Sequence, residues 1–320
     1  MPTGMITFMN SEIQSAYLAA EGFLEPLQKE LDGVIAVHGR LILSSQPVKE
    51  AYWAQNIWRN LRTLHIDSIN DAAKQLKAIQ RNWCLYSYHL HRRAKLILEK
   101  LPPVKCTPLS FPSPLPTSPL GSFTLLNENT LLASAECSSP FPNGEVRFVE
   151  DKDGPPNRAY LKLYEALTLA GTQPQSGEFC IDVGGSPGGW TWVINQCGAE
   201  VLSIDRSPLS ALVAGLKGVS FQKRDAFTLL PEEFQAQDRR IDWLFSDVIC
   251  YPEKLYEWIR QWVESGICKN FICTIKFKGG PDLSIVDKFA AIPNSRVLHL
   301  FHNKNELTWS KISSLSSSDL

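Results

Sequence analysis

The chain has 320 residues, 44% of them hydrophobic, which is enough apolar material for two ordinary domains or one domain with a large extension. Lys and Arg total 32 against 33 Asp and Glu, a net charge of −1, so any nucleic-acid-binding surface must be a local basic patch. No apolar run approaches the ~18 residues of a membrane-spanning helix, and Met1 to Ser11 lacks the basic and apolar regions of a secretion signal. The expectation is a cytoplasmic protein with no membrane partner.

In chain order, Gly22 to Leu31 reads as a short helix with Pro26 near its first turn. Val34 to Leu43 reads as one strand. Ser68 to Ile79 reads as a helix capped by Asp67 or Ser68, Trp83 to Tyr88 as a strand and His89 to Leu101 as a helix. Leu101 to Gly121 holds seven prolines in 21 residues. Proline removes backbone donors and fixes φ, so this segment is an extended connection rather than helix or central strand. Ser122 to Leu126 and Thr130 to Ser134 flank Asn127-Glu128-Asn129 and read as a hairpin. Residues 1–140 are therefore expected to form an α+β N-terminal domain that includes the proline-rich segment 101–121.

From residue 157 the pattern becomes strand, helix, strand, repeatedly. Asn157 to Ala170 is helical, and Phe179 to Val183, Val201 to Ile204, Val219 to Gln222, Ile241 to Ser246 and Phe271 to Ile275 are apolar strand runs. Between the last two, Leu255, Trp258, Ile259, Trp262 and Val263 recur at helical spacing, with the two tryptophans read as core. Such alternation specifies an α/β, doubly wound parallel sheet, whose ligands bind at the carboxyl ends of its strands. This domain is expected over 141–312, with 313–320 a frayed tail. The eight cysteines form no CxxC pair and join no His cluster, so neither a zinc site nor a disulfide framework is expected.

The strongest motif is Cys180-Ile-Asp-Val-Gly-Gly-Ser-Pro-Gly-Gly-Trp190, a strand running into a Gly-rich turn before a helix. Glycines allow a tight turn, and the helix N-terminus offers free N–H groups to an anion. The G-x-G-x-x-G fingerprint fails at Ser186 and Pro187, and no Gly-Lys-Ser/Thr follows, which excludes a P-loop. Asp182 inside the turn would repel a pyrophosphate. It suits instead a ligand with an ammonium group, such as the methionyl end of S-adenosylmethionine. Asp205 follows 23 residues later at the next strand end, suited to ribose hydroxyls. Asp225 is placed for an adenine amino group, and Asp247 beside a transferred methyl.

This constellation resembles the FtsJ-like family of RNA 2′-O-ribose methyltransferases, whose glycine turn is similar to Asp182-Val-Gly-Gly-Ser-Pro-Gly-Gly-Trp190. The resemblance implies a class I Rossmann-like methyltransferase fold, with a mostly parallel seven-stranded sheet and S-adenosyl-L-methionine as cofactor. The cofactor would be held by Asp182, Gly184, Ser186, Pro187, Gly188, Gly189, Trp190, Asp205, Asp225 and Asp247. It also implies a Lys-Asp-Lys-Glu tetrad. Asn157-Arg-Ala-Tyr-Leu-Lys matches the first lysine's context and gives Lys162. Phe245-Ser-Asp gives Asp247, Cys273-Thr-Ile-Lys gives Lys276, and Asn303-Lys-Asn-Glu gives Glu306. The approach from Ser139 to Lys162 is similar to that of family members acting on bacterial large-subunit ribosomal RNA, whose N-terminal half is related to THUMP RNA-binding modules. The partner implied is RNA, most specifically ribosomal RNA.

Lys276 would then help remove the 2′-hydroxyl proton as the oxygen attacks the sulfonium methyl. A free lysine has a pKa of about 10.4 and can act as a base only if that value falls. A nearby Lys162 would lower it by like-charge repulsion, whereas Asp247 in contact would oppose the shift and serves orientation instead. Glu306 would position Lys162 or the ribose. In the N-terminal region, Arg81, His89, His91, Arg92, Arg93, Lys95, Lys100 and Lys105 interleave with Trp83, Tyr86 and Tyr88, a pattern that can hold phosphates and stack bases. Two alternatives stay open at this level. One is a methyltransferase of the same fold acting on tRNA, a small molecule or a protein, and the other is a non-catalytic RNA-binding protein.

Overall fold

The computed structural model describes residues 13–237, 239–280 and 282–313. They divide into two units, one built from residues 13–108 and 116–147, the other from 109–115 and 148–313. The chain therefore enters the second unit twice.

The first unit carries, in order, β1 (Ser15–Ala19), α1 (Leu24–Glu30), β2 (Val34–His38), β3 (Leu41–Ser44), β4 (Ala54–Trp58), β5 (Leu61–His65), α2 (Ile69–Ile79), β6 (Trp83–Leu85), α3 (His91–Leu98), β7 (Gly121–Asn127) and β8 (Thr130–Ser134). They form two four-stranded sheets, ordered β2-β3-β1-β4 and β5-β8-β7-β6. The single strand expected over Val34 to Leu43 is a hairpin, because Gly39 takes φ +62° and reverses the chain. Tyr86 fixes that reversal: its Oη accepts from Arg40 N at 2.6 Å and donates to the His38 carbonyl at 3.2 Å. A Cβ at Gly39 would lie 2.6 Å from the same oxygen, so only glycine fits.

Helix α2 is capped as expected, with Ser68 Oγ accepting from Asp71 N at 3.1 Å. Ala72, Leu76, Ala94 and Ile97 of α2 and α3 bury against Trp83, Phe123, Leu125 and Leu131 of the second sheet. Trp83 and Tyr86 are thus core residues, which corrects the reading of them as base-stacking groups. The basic residues Arg81, His91, Arg92, Lys95, Lys100 and Lys105 are exposed as expected.

The second unit opens with α4 (Tyr160–Ala170) and continues β9 (Phe179–Val183), α5 (Gly189–Gln196), β10 (Glu200–Asp205), α6 (Ala211–Ala214), β11 (Val219–Lys223), α7 (Glu232–Gln235), β12 (Ile241–Ser246), α8 (Pro252–Ser265), β13 (Cys268–Lys276), α9 (Leu283–Ala290), β14 (Ser295–Leu298) and β15 (Glu306–Lys311). Seven strands form one sheet, ordered β11-β10-β9-β12-β13-β15-β14. Strand β15 runs antiparallel to both neighbours and the rest are parallel. This is the mostly parallel seven-stranded sheet expected of the α/β class. Trp258 and Trp262 are buried in α8, as their helical spacing requires.

Helix α4 starts at Tyr160 rather than Asn157, because Asn157 Oδ1 accepts from Ala159 N at 3.0 Å and holds a turn ahead of it. Part of the proline-rich run, Leu109–Leu115, lies on this unit. Val149 N donates to Leu109 O at 2.8 Å, and Phe111 stacks on Tyr164 of α4 with ring centroids 4.0 Å apart. Among the described residues, no helix is long and apolar enough to cross a membrane, and no group of three or more His, Cys, Asp or Glu is placed to hold a metal ion. The expected tail at 313–320 lies, but for Ser313, outside the described residues.

Candidate active site

The carboxyl ends of β9, β10, β12 and β13 lie side by side through their register. The Gly-rich turn leaves β9 there. Gly188 caps α5 at φ +118°, and a Cβ on it would lie 2.9 Å from Val213 Cγ1. Close approach in this turn is to the protein itself: Gly185 faces Ser203 and Gly189 faces Asn157. Of the expected cofactor residues in the turn, Pro187 is exposed and Gly184 and Ser186 are half-buried, whereas Gly188 and Gly189 are buried.

Asp182 and Trp190 sit differently from the sequence expectation. Asp182 lies within β9, opposite Ser203 and Phe245, with no exposed surface. Thr191 donates to its Oδ2 at 2.5 Å, while Oδ1 has no hydrogen-bond partner among the described residues. Burial pushes this carboxyl up to about 7 against the Thr191 hydrogen bond. The structure thus makes it a support beneath the turn rather than an open counter-ion for an ammonium group. Trp190 is 3% exposed. Its Nε1 donates to Ala159 O at 3.0 Å and its ring packs on Phe245. The side chain braces α4, leaving only its backbone at the start of α5 to face a ligand.

The acids further along are more open. Asp205 takes Ser186 N on Oδ2 at 3.1 Å and Ser207 N on Oδ1 at 2.8 Å. A carboxylate has about four lone-pair positions, so both oxygens keep capacity for ribose hydroxyls. Asp225 caps a single helical turn through Phe227 N at 2.9 Å and is ion-paired with Arg206. The Phe227 amide and then the Arg206 guanidinium hold its carboxyl below the usual range. These half-exposed acids, at the ends of β10 and β11 to one side of the glycine turn, fit a nucleoside with a polar tail such as S-adenosylmethionine.

Next to them the structure brings together Lys162, Asp247, Lys276 and Glu306. Lys162, 7% exposed on α4, places Nζ 3.1 Å from Asp247 Oδ1 and 2.6 Å from Glu306 Oε1. Lys276 Nζ lies 2.9 Å from Asp247 Oδ1 and donates to the Asp247 carbonyl at 2.7 Å. Glu306 reaches the cluster because β13 and β15 pair with Lys276 directly opposite it. Burial pulls the Lys162 ammonium down, but the Asp247 and Glu306 carboxylates outweigh it and hold its pKa above the ordinary lysine value. Burial likewise pushes Asp247 up, and the two lysines overcome it, leaving its carboxyl below the usual range. Asp247 is therefore a fixed anion between two lysines.

Two supporting residues escape sequence reasoning. Thr274 donates to Asp247 Oδ1 at 2.7 Å. It precedes Lys276 by two residues, on the same face of β13, and that period-two spacing was its signal. Glu165, one helical turn after Lys162, is buried and accepts from Phe301 N at 2.7 Å, His302 N at 2.9 Å and His302 Nδ1 at 2.7 Å. It ties α4 to the segment that leads into Glu306.

A doubly wound sheet with its last strand reversed, a glycine turn after the first strand, and acids at successive strand ends define a methyltransferase of the class I Rossmann-like kind. Residues 155–317 match the model of the FtsJ-like methyltransferase family, and the chain belongs to that family. S-adenosylmethionine is the methyl donor that membership brings with it. Among characterised proteins, the chain is similar to ribosomal RNA large subunit methyltransferase M of Azoarcus sp. (strain BH72), 30% identical over 186 residues, covering 53% of this chain and 49% of that protein. It is also similar to the protein of the same name from Xanthomonas oryzae pv. oryzae (strain PXO99A), 30% identical over 240 residues, covering 72% and 62%. The chain thus aligns with about half to three-fifths of these relatives' length. A solved Plasmodium falciparum protein described as a ribosomal RNA methyltransferase aligns at TM-score 0.36 and 17% identity, over 49% of this chain and 96% of that one.

Proposed function

We propose that this protein transfers the methyl group of S-adenosylmethionine to a ribose 2′-hydroxyl of RNA, with large-subunit ribosomal RNA as substrate, in the cytoplasm. The observation that carries this reading is the cluster of Lys162, Asp247, Lys276 and Glu306, assembled from four separate elements beside the glycine turn. When bound, the cofactor supplies an electrophilic methyl on a sulfonium. The protein's part is to align the acceptor oxygen and handle its proton. Alignment of two bound reactants lowers a barrier by up to roughly 7–11 kcal/mol.

Lys276 is the residue for the proton. It must meet the 2′-hydroxyl as a free amine and take the proton while the oxygen forms its bond to carbon. Asp247 holds the Lys276 side chain in place between its carboxylate and its backbone carbonyl before the substrate arrives. Lys162, held charged by Asp247 and Glu306, adds positive potential where negative charge grows on the ribose oxygen. The first unit supplies the RNA-binding surface, a role that agrees with a THUMP-like assignment for it. What supports this is the row of exposed cations along α3.

The test is methyl transfer from labelled S-adenosylmethionine to total RNA from cells lacking the protein, with wild type beside Lys276→Ala. Label in alkali-resistant dinucleotides with wild type is the expected result. The variant should lose at least about 100-fold in turnover, the lower end for proton-transfer catalysis, with cofactor affinity near normal. Full activity in Lys276→Ala would overturn the assignment.

A further inference from the structure

Large apolar side chains stand open to solvent at few described positions. In the second unit the two most exposed are Ile249, at 77%, and Tyr251, at 59%. Both lie in the short segment joining β12 to α8, within four residues of Asp247. Nothing in local folding calls for them, since α8 begins at Pro252 and buries Leu255, Trp258, Ile259 and Trp262 instead. An exposed aromatic beside a catalytic cluster is better explained by what it meets.

The charges around it are one-sided. Lys278, two residues beyond Lys276, sets its Nζ 4.8 Å from the Tyr251 ring centroid. Lys254, in the first turn of α8, lies over Phe227 at 4.1 Å. Of the acids nearby in sequence, Asp247 is already paired with Lys162 and Lys276, and Glu253 is exposed. An aromatic ring with a cation on one face and more than half its surface open matches the way proteins hold unpaired nucleotides. The base stacks on the ring while the ammonium meets the phosphate.

We propose that Tyr251, backed by Ile249 and Lys278, is a stacking platform for a nucleobase of single-stranded RNA. It would hold either the target nucleotide or its immediate neighbour, so that the ribose is presented to Lys276. This rests on the reading of the acceptor as RNA and adds that the target is unpaired when it reacts. Tyr251 is a positioning residue: it acts on binding and orientation, not on the proton.

Two measurements decide it. In the first, methyl transfer to ribosomal RNA from cells lacking the protein is followed for wild type, Tyr251→Ala, Tyr251→Phe and Lys278→Ala. Tyr251→Ala should raise KM for RNA about 5- to 150-fold, the worth of one base–aromatic stack, while S-adenosylmethionine affinity stays unchanged. Tyr251→Phe should restore the wild-type KM, and Lys278→Ala should raise it. A Tyr251→Ala enzyme with unaltered KM overturns the proposal. In the second, a single-stranded RNA 20-mer carrying 5-iodouridine is photo-crosslinked to the full chain. A crosslink within residues 249–251 supports the platform, and its absence there overturns it. This arm needs no turnover. If wild type transfers no methyl to RNA, that result counts against the 2′-hydroxyl reading alone, and the crosslink still decides this one.

Discussion

Asp182 is a carboxylic acid sealed inside a β-sheet, and its behaviour with pH follows from that. Burial raises its value to about 7 in the folded protein, whereas the unfolded chain has the ordinary aspartate value of about 3.9. Between these limits the folded state binds a proton that the unfolded state has released. Stability from this group is therefore fully present below the unfolded value and is lost as pH rises toward about 7. Asp182→Asn keeps the Thr191 hydrogen bond possible and removes the titration. Denaturant midpoints measured from pH 4 to 8 should fall with pH more steeply in wild type than in the variant. Equal slopes would show that the carboxyl is ionised in the fold. Asp247 works the other way: held below the usual range, it contributes stability above the unfolded aspartate value and loses it in acid.

At the level of elements, α4 and β15 are separated by most of the second unit in sequence, yet both must hold still for the cluster to form. Glu165 joins them by accepting three hydrogen bonds from Phe301 and His302. Glu165→Ala would leave part-buried donors of Phe301 and His302 without their acceptor, at up to about 1–3 kcal/mol for each group that water does not reach. The expected outcome is a lower denaturation midpoint and a lower kcat, with Glu165→Gln intermediate in both. Unchanged kcat would mean that Glu306 is held by its strand alone.

The central strands β9, β10, β12 and β13 were legible because each carries a near-continuous apolar run, the mark of a sheet covered on both faces, whereas β14, Ser-Arg-Val-Leu, has no such run and escaped. The first unit was less so. Ser15–Ala19 and Ala54–Trp58 are buried throughout, and runs of five with no alternation give no period to read. Leu61–His65 was missed as well. Val34 to Leu43 looked like one strand because its sole break is Gly39. In the site, the family resemblance found Lys162, Asp247, Lys276 and Glu306, which are brought together in space. The sequence could not show that Asp182 turns inward, because a strand's inward and ligand-facing acids look alike.

For the whole molecule, the first unit is where general affinity for RNA is expected, and α3 carries the cations for it. Replacing Arg92 and Lys95 together by Ala should weaken RNA binding across all sequences alike. It should also flatten the dependence of affinity on salt by about one unit of slope per lost phosphate contact. Cofactor affinity measured by calorimetry should not move. A loss confined to one RNA sequence would mean that these residues read bases rather than hold backbone.

The segment Leu109–Leu115 has a consequence for how the chain can come apart. It belongs by packing to the second unit and by sequence lies inside the first, with Leu109 O accepting from Val149 N and Phe111 stacked on Tyr164. A protease cut between Arg147 and Phe148 would sever the last covalent link while leaving this latch engaged. The two pieces should then co-elute on gel filtration under native conditions, and Phe111→Ala should let them part. In evolutionary terms the front half cannot be exchanged at a single splice point. A substitute would have to bring its own latch, or the catalytic half would lose a piece of its surface with the swap.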